Sequence, residues 1–411
     1  MKTFFSHFTP RSVTESVTPD YCLDMSSIFN VGYHISVPLD DPDDLPVPGL
    51  ALNNLEGHLQ LPPLVYGAAV LSTIYNTDDV LLSSMPLRTV RLALRYGICA
   101  FDTSVYYGDS EIVLGNILKA LDPEFPRSSY QLMTKCGRFG QNAFDYSPHA
   151  IRESVKNSLA RLQTDYLDTV YLHDVEFECT NISPKASGNH VTALTTDAVL
   201  YGLADGDEGK IRGDGDQKIL DAVSELRKLR DEGFIKNIGI TGYPLATLLR
   251  LGILILHQPP YEPLDVILSY CHLSLQNSTL MEYATHFLQR ARVIQLVAAS
   301  PLSMGLLTPQ PPLWHPAPRD LKKVIEGCRS ECSMDLSDVA LGFSIRYTGA
   351  SHHNMPLVLG MSTPREVHEC MRVWREIQEG TGSEERKRWE ELVRKRLEEG
   401  GFKDWSWASP Q

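Results

Sequence analysis

The chain has 411 residues, 43% of them hydrophobic, a formal net charge of -13 and a pI near 5.5. That apolar content suffices for one barrel-sized core with extensions. The acidic balance, with no Lys/Arg cluster, excludes a nucleic-acid or phosphate-backbone partner from the expected functions.

Residues 1–58 are polar and rich in Pro and Ser, and end near the acidic run "PLDDPDDLPVPG". They read as a flexible N-terminal extension, with at most a short segment across the floor of the main domain. From Leu64 a regular alternation begins. "PLVYGAAV" reads as a first strand and "PLRTVRLALRYG" as an amphipathic helix stopped by Gly97. "ICAFDTS" is the second strand, with a helix over about 110–121, and "YQLMTKC" the third. The following helix opens with Ser147 as N-cap and Pro148 at its first position. "DYLDTVYLHD" is the fourth strand.

The beat is then interrupted. Residues 177–216 lack periodicity and are loaded with Gly, Asp, Ser and Thr, so they read as a solvated insertion over the active face, with a substrate-covering lid as the functional alternative. Its acidic runs lack the ligand spacing and closing Glu of a calcium loop. Four further strands follow, "IKNIGITG", "LDVILSY", "VIQLVAAS" and "MPLVLG", each with its helices. Eight strands alternating with helices predict an α/β chain, a (β/α)8 TIM barrel over residues 59–380. Residues 381–411 read as a charged C-terminal helix whose apolar stripe packs on the barrel, followed by a tail that brings Trp405 and Trp407 towards the mouth.

Three strand ends carry polar groups that an apolar run does not need. Asp102 closes the second strand, Lys135 the third and His173 the fourth, while Tyr107 lies in the loop after Asp102. A lysine at the tail of a buried strand must meet a carboxylate or a ligand. Parallel neighbours in a barrel bring all four side chains to one rim, where barrel enzymes keep their chemistry. Taken singly, each has a structural alternative: an N-cap Asp, a packed Tyr, a core His, or an Asp102–Lys135 ion pair of structural value only.

"FDTSVYYGDSEIVLG", "LMTKCG" and "LDTVYLHDVEF" resemble, in this order and spacing, the Asp…Tyr, Lys and His segments of the aldo-keto reductase superfamily; "NIGITGYP" and "VAASPLSMGLL" are similar to its later cofactor-side segments. The resemblance runs over about residues 62–378. "YLHDVEF", "DVILSYCHLSLQN" and "VLGMSTP" look most like its branch of NAD-dependent D-arabinose and L-galactose 1-dehydrogenases. The resemblance implies an oxidoreductase with Asp102, Tyr107, Lys135 and His173 as its catalytic set and no metal. Tyr107 would exchange the hydroxyl proton, helped by Lys135, which Asp102 keeps charged; His173 would orient the substrate oxygen. Tyr106 competes for the tyrosine role, and the spacing together with Gly108 favours Tyr107.

The resemblance also implies an extended nicotinamide dinucleotide across the rim. Ser269 and Tyr270 would meet the carboxamide end, Ser300, Leu302 and Gly305 the pyrophosphate, and Gly360, Met361, Ser362, Arg365 and Glu369 the adenosine. Members using NADP place a lysine or arginine just after the last strand, where this chain has Met361, so NAD is expected and Arg365 keeps NADP open. Cys370 stands where an asparagine is usual. The expected substrate is an aldose oxidised at C1 to a lactone, D-arabinose first and L-galactose or L-fucose next. The alternatives are an NADPH-dependent aldehyde or ketone reductase and a cofactor-sensing regulatory subunit. Eight cysteines without CxxC spacing, no apolar run long enough to span a bilayer and no leader pattern point to a cytoplasmic chain without a membrane partner. Oligomeric state has no signature in the sequence.

Overall fold

The structure, a computed structural model, describes residues 29–52, 57–348 and 353–410. Strands β1 (Leu64–Gly67), β2 (Ala100–Asp102), β3 (Gln131–Cys136), β4 (Leu167–Leu172), β5 (Ile235–Gly242), β6 (Val266–Tyr270), β7 (Gln295–Ala299) and β8 (Leu357–Leu359) pair in chain order, all parallel. β8 pairs with β1 and closes the barrel, as the eight apolar runs predicted. Its interior is filled by Val65, Ala100, Met133, Tyr171, Val266, Leu268, Val297 and Val358. Leu59 and Leu61, just before β1, join this cluster, and Gln131 Nε2 donates to the carbonyls of Leu59 and Gln60.

The helices α1 (Asp78–Leu82), α2 (Met85–Arg95), α3 (Ser110–Leu121), α4 (Pro148–Arg161), α5 (Asp214–Asp231), α6 (Leu245–Leu256), α7 (Leu280–Gln289), α8 (Arg319–Glu331), α9 (Leu336–Arg346), α10 (Pro364–Glu379) and α11 (Ser383–Glu399) complete the order. Ser147 caps α4 through the Ala150 N–H, with Pro148 at the first position. Val393 and Leu397 of α11 are buried against Leu321 and Ile325 of α8 and Val339 of α9.

Two stretches differ from their composition-based reading. Residues 29–52, expected as part of a flexible extension, are tied to the outer face of the barrel. Arg88, Arg91 and Arg95 form one stripe on α2, at helical spacing, and meet the acidic run: Arg88 pairs with Asp44, and Arg91 and Arg95 with Asp40. Arg375 of α10 donates to the carbonyls of Val47 and Leu50, and Asn116 of α3 holds Gly32 and Asn30. The remainder of the expected extension, residues 1–28, lies outside the described residues.

The insertion is the second correction. Ala193, Tyr201 and Leu203 are buried in the main core. The insertion lies over α6 and α7, where Arg250 donates to Thr180 O, Gln258 to Gly209 O, Tyr283 to His190 O and Arg290 to Leu203 O. That cover explains why α6 is apolar almost all round, with eleven of its residues buried. Its anchor is Asp216, fully buried, whose two oxygens accept from both terminal nitrogens of Arg250 at 2.7 and 2.9 Å and from the N–H groups of Arg212 and Thr180. Composition thus misleads here, because the few apolar residues of the segment are buried and its carbonyls accept hydrogen bonds from the helices beneath.

Asp216→Ala leaves the Arg250 guanidinium buried without its counter-charge and is expected to cost about 3–5 kcal/mol in chemical denaturation. Deleting residues 181–212 is expected to lower the melting temperature clearly; an unchanged midpoint would return the insertion to a solvated loop.

Candidate active site

The register of the barrel sets the geometry. Asp102 pairs with Met133, so Lys135, two residues further along β3, faces the same way one step nearer the rim. Lys135 Nζ donates to Asp102 Oδ1 at 2.5 Å and to Thr103 O at 3.0 Å. Both side chains are buried, and Asp102 Oδ2 has no partner among the described residues. Burial raises the Asp102 carboxyl, and the adjacent ammonium opposes that shift.

The loop after β2 turns on Gly108, which takes φ +54. It brings two phenols beside His173, with ring centroids 5.7 Å away for Tyr106 and 5.6 Å for Tyr107. They are not equivalent. Lys135 Nζ lies 4.8 Å from the centre of the Tyr107 ring, whereas the Tyr106 hydroxyl accepts from Arg138 Nη2 at 3.2 Å. Tyr107 is half-buried and its phenol is raised by burial, then by the carboxylates of Asp102 and Asp174, with Arg138 acting against them. His173 is buried; its Nδ1 is 2.9 Å from Ser104 Oγ and its carbonyl accepts from Tyr146 Oη. Burial, followed by the charges of Lys135 and Arg138, holds the imidazole well below its ordinary pKa, so it is neutral.

The residues expected to meet a dinucleotide lie at the same end of the barrel. Ser269 and Tyr270 end β6, Ser300 follows β7, and Gly360 follows β8. Tyr270 is half-buried. Ser269 Oγ is 3.3 Å from His272 Nδ1. Beyond β7 the backbone curls through positive φ at Ser300, Ser303, Met304 and Gly305. Gly360 is exposed, and a Cβ there would come within 2.6 Å of Val70 Cγ1, so the strand exit must stay bare. Ser362 Oγ accepts from Asn76 Nδ2 at 2.9 Å, and Arg365 lies in the open, paired with Glu369 at 2.8 Å.

Two of the expected contacts turn away. Met361 is 1% exposed in the main core, its carbonyl accepting from Tyr66 Oη, so its side chain does not stand at the surface where a phosphate-binding cation would. Leu302 packs against the cluster between α8, α9 and α11. Cys370 is also buried.

Residues 63–392 match the Aldo/keto reductase family. The chain belongs to that family. It is 36% identical over 312 residues to D-arabinose 1-dehydrogenase of Saccharomyces cerevisiae, an alignment covering 74% of this chain and 80% of the yeast protein. It is 34% identical over 317 residues to L-galactose dehydrogenase of Arabidopsis thaliana, covering 76% and 83% respectively. The fold resembles the aldo-keto reductase of Bacillus halodurans in its holo form, with TM-score 0.52 at 22% identity over 81% of this chain and 92% of that one. The glycerol dehydrogenase of Gluconobacter oxydans aligns with TM-score 0.53 at 17% identity, over 85% and 96%. Aldo-keto reductases are oxidoreductases that use nicotinamide cofactors and act on small molecules. No helix among the described residues is long and apolar enough to cross a membrane.

Sequence reasoning missed several buried polar groups in this aldo-keto reductase. Arg138 and Asp174 form an ion pair beside Tyr106 and His173. Glu176 lines a cavity of about 180 Å³ with His190, Tyr243, His272, Trp407 and Ser409. The sequence carried only a weak signal for them: Arg138 follows Lys135 by three residues, and Asp174 and Glu176 follow His173, all just past strand ends where loops are ordinarily polar.

Glu176 Oε1 accepts from the Tyr243 N–H and from Ser409 Oγ, both at 2.9 Å. Burial, then the neighbouring Asp174, pushes its carboxyl up to about 8 from 4.5. A carboxyl with a raised folded pKa binds more protons folded than unfolded, so its contribution to stability is full below about 4.5 and is lost as pH rises through about 8. Glu176→Gln keeps an acceptor oxygen and cannot titrate. Its unfolding free energy from urea titrations is therefore expected to fall less steeply with pH than that of wild type over that window, by up to about 1.4 kcal/mol per pH unit; parallel slopes would show that Glu176 is charged in the folded state.

Proposed function

We propose that this aldo-keto reductase is an aldose 1-dehydrogenase, oxidising the anomeric carbon of a cyclic sugar, D-arabinose first, to the lactone with NAD. The observation that carries the reading is the placement of Tyr107 between the Lys135 ammonium and the neutral His173 imidazole, at the rim where β2, β3 and β4 end. The two sugar dehydrogenases that match most of the chain support the substrate class.

The rim suits an extended nicotinamide dinucleotide on its own chemistry. The half-buried Tyr270 supplies an aromatic ring for a planar group, Ser269 a hydroxyl, the curled backbone after β7 a track, and Gly360 a bare strand exit. The bound nicotinamide supplies the acceptor for the C1 hydride. This chain's residues handle the proton. Tyr107 takes the anomeric hydroxyl proton on its phenolic oxygen as the C1–O bond becomes a carbonyl. Lys135, fixed by Asp102, lies over the Tyr107 ring, where a cation favours the phenolate. His173, neutral and held by Ser104, fixes the sugar oxygen by a hydrogen bond.

NAD is favoured by the charges at the β8 exit. Arg365, the exposed cation there, is tied to Glu369, and Glu366 adds a second carboxylate that accepts from the Ser362 N–H. A 2′-phosphate would meet two acids and a cation already engaged. The reductive alternative, an aldehyde reductase, draws on the raised Tyr107 phenol, which suits donation of a proton to a carbonyl. The same groups serve both directions, so pH separates them.

Tyr107→Phe is expected to lose about 10²–10⁴-fold in turnover with dinucleotide affinity unchanged. If Tyr106→Phe is the inactive variant instead, the roles of the two phenols are exchanged. Because the Tyr107 phenol is raised, its deprotonated form gains with pH: sugar oxidation is expected to accelerate from neutral into alkaline solution and carbonyl reduction to slow. A screen of aldoses, following reduced nicotinamide absorbance, is expected to give a kcat/KM for NAD at least about tenfold that for NADP, or about 1.4 kcal/mol. Equal efficiency, with NADP use lost in Arg365→Ala, would sink the NAD assignment.

A further inference from the structure

Arg138 lies in the turn after β3 with its side chain 12% exposed. Its guanidinium pairs with Asp174 and lies 3.9 Å from the centre of the Tyr106 ring. Phe144 and Phe177, stacked on each other at 4.7 Å, lie 5.2 and 5.0 Å from it. Asp174 directly follows His173 and takes φ +56, a left-handed conformation that a non-glycine residue keeps only when its surroundings hold it. Its Oδ2 is 3.5 Å from His173 Nε2, and its Oδ1 has no partner among the described residues.

A buried ion pair is a weak source of stability compared with apolar groups of the same shape. This one is placed at the edge of the proton-transfer site, the cation against Tyr106, whose ring lies 6.1 Å from that of Tyr107, and the carboxylate beside His173. We propose that Arg138 and Asp174 are a positioning pair for the proton-transfer step, orienting the His173 imidazole and acting with opposite sign on Tyr107. The inference rests on the reading of Tyr107 as the proton-transfer group.

The groups facing Tyr107 are Asp102 from β2, Lys135 from β3, Arg138 beyond it, His173 and Asp174 at the end of β4, Tyr106 of the same loop, and Tyr75 from the segment before α1. Lys135 stays fixed over the ring by Asp102, while of the second pair Arg138 lowers the Tyr107 phenol and Asp174 raises it. Removing one member of the pair therefore has a sign. Without Arg138 the phenolate loses a favourable charge; without Asp174 it loses an unfavourable one.

The test is the pH profile of kcat/KM for sugar oxidation in the full-length enzyme. In Arg138→Met the alkaline rise is expected to move up by at least about half a pH unit, and in Asp174→Asn to move down by a similar amount. Arg138→Lys is expected to recover part of the wild-type profile, because a cation remains while the fork on Tyr106 is lost. Shifts of the same sign, or a lowered melting temperature with the profile unmoved, would leave the pair a structural clamp and overturn the proposal. Where Arg138→Met does not fold, Asp174→Asn decides by sign alone: a downward shift supports it, an upward or absent one overturns it. Tyr107→Phe is measured alongside. Full turnover in that variant removes the proton-transfer reading and the pair's role with it, whereas an inactive Tyr107→Phe with same-sign shifts removes only the pair's role.

Discussion

An ammonium and a carboxylate buried side by side at the rim of the barrel govern the arrangement around them. Lys135 and Asp102 are 2% and 4% exposed, and neither charge could be left there alone without a penalty of several kcal/mol. Their meeting requires β2 and β3 to be neighbours in a register that puts position 102 beside 133, so that residue 135 points the same way. Given that register, the chain leaving Asp102 must pass over Lys135. The Ser104 hydroxyl then reaches His173 at the end of β4, and the turn at Gly108 drops Tyr107 over the ammonium. The cluster at the mouth is thus a consequence of strand order, with one ion pair fixing the reference point.

Much of this could be read from the chain because a parallel barrel writes itself locally. Each strand is buried on both faces and appears as a short apolar run, and each run is followed by a helix with its own cap or stop signal. A lysine, an aspartate and a histidine at the ends of three such runs stand out against that background. Arg138 and Asp174 did not, since each lies one to three residues past a strand end, where polar residues are ordinary in loops. Only the fold shows that this particular turn is folded inward under Phe144 and Phe177. Met361 was misplaced for the converse reason. It follows β8 in sequence like a rim residue, yet the Tyr66 hydroxyl holds its carbonyl and directs its side chain to the core.

The extension and the insertion were misjudged by composition. Acidic, Gly-rich and Pro-rich stretches read as solvated because they cannot bury much apolar surface themselves. Their partners were written elsewhere, in the arginine stripe of α2 for residues 40–44 and in Arg250 of α6 for Asp216. A helix that is apolar on nearly every face, as α6 is, asks for a cover, and the insertion was the one segment of the right length without a place. Weighing the two observations together would have predicted the contact that each alone concealed.

The same cover ties the mouth to the far end of the chain. After α11 the tail returns to the rim, where Ser406 bridges to Gly188 of the insertion and Gln276 holds the carbonyls of Phe402 and Trp405. Trp407 stacks on Tyr243 at 4.7 Å, and the Tyr243 ring lies tilted against Tyr270 at 5.4 Å, so a line of rings runs from the tail to the end of β6. Ser409 reaches Glu176, two residues from the Asp174 that pairs with Arg138. Residues separated by more than 200 positions therefore share one wall of the site. Asp102, Lys135 and His173 come from strand ends that the order of the barrel places together, whereas that wall is built from the insertion and the tail. On the proposed reading as an aldose dehydrogenase, selectivity among sugars falls to the wall and proton transfer to the strand ends, two parts of the chain with different physical constraints.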